Sequence, residues 1–104
     1  YDGLTDIIDE QPIQPQEYKI NVYPNPFNGY STIQFNINPR DINSAQIFDI
    51  NGKLIKDFLY PEYSSGKIIW DATDNNSNVL SSGVYFVTIK TMENMISEKI
   101  IFLK

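Results

Sequence analysis

The sequence contains no cysteine and no histidine among its 104 residues. Without cysteine there is neither a disulfide framework nor thiol chemistry, although a chain of this length buries enough surface to fold without cross-links. Without histidine the chain lacks the commonest general base, the usual zinc ligand and the usual pH switch. These two absences disfavour most enzymatic functions, and they do not place the protein inside or outside the cell.

Positive charge is also scarce, with 8 Lys and Arg against 13 Asp and Glu. Residues 1–18 contain five acids and no base, so residues 19–104 carry eight of each and are formally neutral. A neutral domain offers no electrostatic footprint for phosphate backbones, so we expect no nucleic-acid partner. No apolar run approaches the ~20 residues that span a bilayer, and no signal peptide is present, so we expect no transmembrane segment.

Residues 1–18 are predicted to be an acidic linker. They combine acids and glutamines with Pro12 and Pro15, which interrupt any helix or strand. One short helical turn over residues 4–8 is compatible with the sequence. The folded domain is predicted over residues 19–104, and the missing signal peptide fits a fragment of a longer protein.

Alternation of apolar and polar residues, broken by turn signals at short intervals, predicts seven strands and no helix of consequence. They are expected at 19–23, 32–37, 44–50, 53–59, 67–71, 82–90 and 96–104. Seven short strands in one domain of this size are typical of an all-β fold, a seven-stranded antiparallel immunoglobulin-like β-sandwich.

Three glycine-containing turns are predicted to shape the chain. Asn51-Gly52 is the strongest hairpin signal and predicts a type I′ turn, which needs positive φ twice. Asn28-Gly29 is expected to supply positive φ at the end of a rigid turn that begins at Pro24. Gly83 is expected to permit a sharp approach to the following strand.

The strand at 82–90 is predicted to be central and the last strand to pair with it. Tyr85, Val87 and Ile89 share one face, whereas Thr88 and Lys90 indicate that the other face meets water. Residues 100–103 are apolar without alternation, which predicts a strand covered on both faces.

Five motifs occur in register across the folded part of the chain. They are Tyr23-Pro24-Asn25-Pro26-Phe27-Asn28, Phe48-Asp49-Ile50-Asn51-Gly52-Lys53, Trp70-Asp71, Ser82-Gly83-Val84-Tyr85 and Lys99-Ile100-Ile101-Phe102-Leu103-Lys104. Together they resemble the type A C-terminal sorting domain of the type IX secretion system. The likeness covers residues 19–104. One departure is Ser77, which stands where family members often place Gly.

The resemblance implies a delivery role without catalysis or cofactor. In that family the domain follows a cargo domain in the same chain and carries it from the periplasm of a Gram-negative bacterium through the outer-membrane translocon. A sortase-like peptidase typically removes the domain, and the cargo is anchored to surface lipopolysaccharide or released. The last strand, with its terminal motif at residues 99–104, then looks like the signal that the translocon reads, and such a domain is expected to end its polypeptide.

Other interpretations of the same residues remain open at this point. Asp71, Asp74 and the neighbouring asparagines suggest a calcium loop, but Val79 and Tyr85 stand where an EF-hand needs Gly and Glu, which favours a solvated hairpin loop. Trp70, Tyr85, Phe86, Tyr23 and Tyr60 suggest a sugar-stacking platform, although aromatic residues of a small sandwich are more often core. The alternative function is therefore an accessory sandwich module of a secreted enzyme, either carbohydrate-binding or a spacer.

Paired carboxylates for glycoside chemistry would have to come from Asp49, Asp57, Asp71 or Asp74, all near strand ends or turns. We expect these residues to cap turns instead, by accepting hydrogen bonds from local backbone amides.

Overall fold

The computed structural model describes residues 17–104, so most of the predicted linker, with its helical turn over residues 4–8, lies outside the described residues. Within the described range the chain forms seven strands, which confirms the predicted fold class. They are β1 (Ile20–Tyr23), β2 (Ser31–Phe35), β3 (Ile42–Asp49), β4 (Leu54–Phe58), β5 (Lys67–Trp70), β6 (Gly83–Thr91) and β7 (Met95–Phe102). A 3₁₀ turn at Pro39–Asp41 and one helical turn, α1, at Tyr60–Tyr63 join them. Among the described residues no helix is long and apolar enough to cross a membrane.

The strands form two antiparallel sheets, one with the order β1-β2-β5 and one with the order β4-β3-β6-β7. In the constant-type immunoglobulin sandwich the fourth strand belongs to the sheet of the first, second and fifth strands. Here β4 pairs with β3 instead, because a tight hairpin joins the two. The predicted central position of β6 is confirmed, since it lies between β3 and β7.

The hydrophobic core fills the space between the two sheets. Trp70 and Ile68 of β5 are 1% exposed, while Val87, Ile89 and Ile100 of the four-stranded sheet are fully buried. Alternation along each strand therefore directs the apolar residues inward, as predicted for Tyr85, Val87 and Ile89. The prediction that Thr88 meets water is wrong, because its side chain is buried. Its hydroxyl lies 2.8 Å from that of Ser97, and this hydrogen bond satisfies both groups.

The hairpin between β3 and β4 is not the predicted type I′ turn. Only Gly52 has a positive φ, 83°, and Asn51 does not. The Gly52 amide donates to the carbonyl of Asp49 at 3.0 Å, and the Asp49 carboxylate accepts from the amides of Asn51 and Lys53, both at 2.9 Å. These capping bonds favour a type I turn followed by a left-handed glycine, the alternative geometry for a short hairpin.

Two further glycine predictions are wrong. Neither Gly29 nor Gly83 has a positive φ, and a Cβ on Gly83 would meet Tyr85 only at an ordinary 4.0 Å. The turn contains two cis peptide bonds, before Pro24 and before Pro26. Ser77, by contrast, has a φ of 65°, a conformation that favours glycine, the residue that the family resemblance places there.

The prediction that both faces of the last strand are covered is wrong, because only the face towards the other sheet is buried. Ile100 and Phe102 point into the core and are buried. Ile101 is half-buried on the opposite face, and Leu103, just beyond the strand, is 52% exposed. An unbroken apolar sequence therefore presents two hydrophobic side chains outward at the end of the sheet.

Candidate functional site

The outer edge of β7 is covered by the turn that follows β1. The Asn25 carboxamide lies against this edge, where its Oδ1 accepts from the amide of Ile101 at 2.8 Å. Its Nδ2 donates to the carbonyl of Lys99 at 2.9 Å. One side chain thus makes the two hydrogen bonds that the N–H and the C=O of one residue in a neighbouring parallel strand would make.

Phe27 continues this pairing with its own backbone. Its amide donates to the carbonyl of Ile101 at 3.0 Å, and its carbonyl accepts from the amide of Leu103 at 2.9 Å. The bridge between Phe27 and Phe102 is parallel. Asn25 and Phe27 therefore act as a short parallel strand, which we call the edge cover, and the Ser31 hydroxyl supports it by donating to the Pro24 carbonyl at 2.9 Å.

The aromatic side chains beneath the edge cover form a chain of contacts through the core. The Phe27 ring lies 5.2 Å from that of Phe102 and 5.7 Å from that of Trp70, between centroids. Trp70 in turn meets Tyr85 edge-on at 5.5 Å, and its indole N–H donates to the Thr73 carbonyl at 3.0 Å. Four of the five sequence motifs therefore converge at this end of the sandwich.

Tyr85 anchors the beginning of β6. Its hydroxyl donates to the carbonyl of Ser81 at 2.7 Å, an arrangement similar to the tyrosine corner of immunoglobulin domains. Burial, and secondly the nearby Asp49 carboxylate, raises the pKa of Tyr85 above its usual value. Both effects favour the neutral phenol, the form that donates to Ser81.

A cleft of about 740 Å³ lies beside the edge cover. Its walls include Pro24, Pro26, Tyr30, Leu103 and Lys104. Tyr30 and Leu103 are 61% and 52% exposed, so the cleft wall presents apolar side chains to solvent. The Lys104 amide donates to the Ser82 hydroxyl at 2.7 Å, which fixes the direction in which the last residues leave the sheet.

The outer face of the four-stranded sheet carries a stripe of apolar side chains that the sequence reasoning missed. Leu54, Phe48 and Phe86 lie opposite one another on β4, β3 and β6, and Val84 lies opposite Ile101 in the next row. We call these five residues the apolar stripe; Leu54 is 41% exposed and the others are half-buried. The alternation of Phe48 with Ile47 and of Phe86 with Val87 was the signal available in the sequence.

The predicted motif residues do not all reach this site. Those that do are Pro24, Asn25, Pro26, Phe27, Trp70, Gly83, Tyr85 and Lys99 to Lys104, Gly83 by pairing with Phe102. Tyr23 lies instead on the outer face of the three-stranded sheet, where its hydroxyl donates to Gln34 at 3.0 Å. Asn51 and Gly52 lie in the hairpin between β3 and β4, which β6 separates from β7. Asp71 accepts from the Thr73 hydroxyl in the following loop.

The structure also shows the surroundings of residues that the sequence leaves open to several interpretations. Asp74 uses one carboxylate oxygen to accept from the amides of Asn76 and Asn78, both at 2.9 Å. The hydrogen bond from the main-chain N–H of Asn78 is the main cause that lowers the pKa of Asp74. This is turn capping, as predicted, and it occurs again at Asp49. Trp70 and Tyr85 are buried, which confirms their assignment to the core and excludes them from a sugar platform.

The fold and the site define an immunoglobulin-like sandwich whose last strand is held at its outer edge by a proline-bounded turn. Residues 21–103 match the family described as "Secretion system C-terminal sorting domain". The chain belongs to this family, which confirms the resemblance, and it is a C-terminal sorting signal of the type IX secretion system. No curated protein matches the chain.

Solved structures share the fold. PorZ of Porphyromonas gingivalis, described as an essential bacterial surface component of the type-IX secretion system, is similar over 82% of this chain with a TM-score of 0.63 and 22% identity. Latent PorU of the same organism is similar over 93% with a TM-score of 0.55 and 21% identity. The chain spans 11% and 10% of the length of these two proteins.

Proposed function

We propose that the end of β7 is the part of the sorting signal that the type IX translocon reads. The observation that carries this proposal is the outward direction of Ile101 and Leu103 on an edge strand, beside the rest of the apolar stripe. Exposed apolar groups that are contiguous mark interaction surfaces, because water solvates them poorly. The domain would contribute recognition and no catalysis.

The cargo in this proposal precedes residue 19 in the same chain. It would pass from the periplasm of a Gram-negative bacterium to the cell surface or the medium. A sortase-like peptidase would then cut within residues 1–18, because two prolines and five acids favour an extended, solvated backbone there. The sandwich itself holds most of its backbone in the paired strands of two sheets.

The proposal is tested by fusing residues 1–104 behind a periplasm-directed reporter in a host with a type IX system. We expect Leu103→Asn to reduce surface display of the reporter, because it removes the most exposed apolar side chain at the end of β7. The matched control is Leu59→Asn, since Leu59 is 67% exposed and lies next to α1, outside the site. Both variants should melt close to the parent, because surface substitutions usually change stability by less than about 0.5 kcal/mol.

A second fusion protein carries a short polar tail after Lys104. Melting should be almost unchanged, because the tail adds nothing to the core, while export should fall if the machinery reads this end of the strand. After export, N-terminal sequencing of the sorting domain that has been cut from the reporter should place the cut within residues 1–18. Equal display of the parent, the Leu103 variant and the tailed fusion would contradict the proposal and would place the recognised part of the signal elsewhere in the domain.

A further inference from the structure

Both edges of the four-stranded sheet are occupied by other parts of the chain. The edge cover binds the end of β7, and β1 lies beside the rest of that strand. At the opposite edge the main-chain N–H of Asn75 donates to the Ile55 carbonyl of β4 at 3.1 Å, and its Oδ1 accepts from the amide of Asp57 at 2.9 Å. Asn75 thus takes at β4 the place that Asn25 takes at β7. A strand could be added to this sheet only if one of these segments left, so the accessible part of the sheet is its outer face.

Lysines lie beside the apolar stripe on this outer face. Lys99 of β7 pairs directly with Phe86 of β6, so the two side chains are neighbours on one face of the sheet. Lys90 follows on the same face of β6, and Lys104 comes directly after Leu103. All three lysines are exposed.

The acids of β3, β6 and β7 belong to the opposite face of the sheet. Asp49 pairs with Tyr85 and Glu98 pairs with Val87, and both of these partners are buried in the core. Directly paired residues share a face, so the two carboxylates are directed away from the stripe. Asp57 on the edge strand β4 lies outside the row of the stripe. Although residues 19–104 are neutral as a whole, the outer face of these three strands is therefore apolar and basic.

We propose that the apolar stripe, together with Lys90 and Lys99, is a docking face for a protein of the translocation machinery whose surface combines apolar side chains with carboxylates. This inference rests on the proposed function, and it extends the contact from the end of β7 across the sheet to β4. The stripe is continuous with that end, because Val84 pairs with Ile101. Apolar side chains of the partner would cover the stripe, and its carboxylates would meet the lysines at the rim, where charge selects between partners.

Leu54→Asn tests the apolar part of the docking face at its far end, because β3 and β6 separate β4 from β7. With the periplasmic reporter we expect this variant to be displayed about tenfold less than the parent, the factor that corresponds to losing the burial of one aliphatic side chain. The matched control is Ile69→Asn. Ile69 is 54% exposed on the outer face of the three-stranded sheet, so this variant should be displayed like the parent.

A charge series at position 99 tests the acidic character of the partner. We expect Lys99→Arg to be displayed like the parent and Lys99→Glu about fivefold less, because the reversed charge would repel carboxylates at the rim. Both variants keep the main-chain carbonyl that accepts from Asn25. The matched control is Lys67→Glu, which makes the same charge change on the outer face of the three-stranded sheet, where Lys67 pairs with Gln34. This control should be displayed like the parent.

Melting curves of all variants accompany the display assay, and if Leu54→Asn melts far below the parent, the Lys99 series decides. The inference is overturned if folded Leu54→Asn or Lys99→Glu is displayed like its control, whereas a loss of display with Leu103→Asn would still leave the proposed function intact. Size-exclusion chromatography and co-sedimentation with phosphatidylglycerol vesicles identify other occupants. A dimer of the parent that Lys99→Glu abolishes would assign the face to a second copy, and vesicle binding that Lys99→Glu abolishes would assign it to a membrane. Either result would overturn the inference.

Discussion

At the scale of single residues, Asn25 joins parts of the chain that are far apart in sequence. Its two hydrogen bonds to β7 span 74 and 76 residues. The sequence identified the motif around Asn25, and it predicted a rigid turn. It did not predict the role of the carboxamide, because nothing in the local spacing states which strand edge will lie beside the turn.

Asn25→Ala should destabilise the domain by about 1–2 kcal/mol, because two side-chain hydrogen bonds to the edge of β7 are lost. Urea unfolding at pH 7 measures the effect. Asn25→Asp keeps the acceptor for the Ile101 amide but directs a carboxylate towards the Lys99 carbonyl, so it should also be less stable than the parent at pH 7. Lowering the pH below about 4 protonates this carboxyl and restores a donor, so the deficit of the Asp variant should shrink there. An Ala variant with the urea midpoint of the parent would show that Asn25 does not hold the strand.

At the scale of elements, the strands followed from alternation, and the errors lie where alternation carries no information. The pattern of residues 100–103 predicted burial on both faces because an unbroken apolar run does not show which face of the sheet is covered. Alternation directs Ile100 and Phe102 into the core, so Ile101 and Leu103 face outward. The turn residues were located correctly, but the capping carboxylate of Asp49 selected a different turn type from the one that Asn-Gly alone favours.

The hairpin between β3 and β4 provides a test at this scale. Gly52→Val should destabilise by about 1–3 kcal/mol, because Gly52 has a φ of 83° and a β-branched residue resists this conformation. Gly29→Val is the matched control, since Gly29 lies outside the positive-φ region and a Cβ there meets nothing within 4 Å. Its melting temperature should stay close to that of the parent. Equal melting of the two variants would mean that the left-handed turn is not required.

At the scale of the whole molecule, the two ends of the described chain contribute very differently to the fold. The side-chain carboxamide of Asn36 holds the described residues that precede β1. Its Nδ2 donates to the Glu17 carbonyl at 2.9 Å, and its Oδ1 accepts from the Lys19 amide at 2.8 Å. At the other end Ile100 is fully buried and Phe102 is 3% exposed. The strand proposed as the sorting signal is therefore also part of the core, so the sandwich cannot be complete before this strand has docked.

Removing residues 1–16 should consequently leave the stability unchanged, because residues 17–104 retain both bonds to Asn36 and every strand of the two sheets. The measurement is the urea midpoint and cooperativity of residues 17–104 compared with 1–104. Removing residues 100–104 should abolish cooperative unfolding, because deleting the side chains of Ile100 and Phe102 alone costs on the order of 5–10 kcal/mol, comparable to the total stability of a domain. If the chain without residues 1–16 unfolded at a clearly lower urea concentration, the boundary between linker and domain would have to move towards the N-terminus. If the chain without residues 100–104 still unfolded cooperatively, β7 would be dispensable for folding, and signal and core would be separate parts of the molecule.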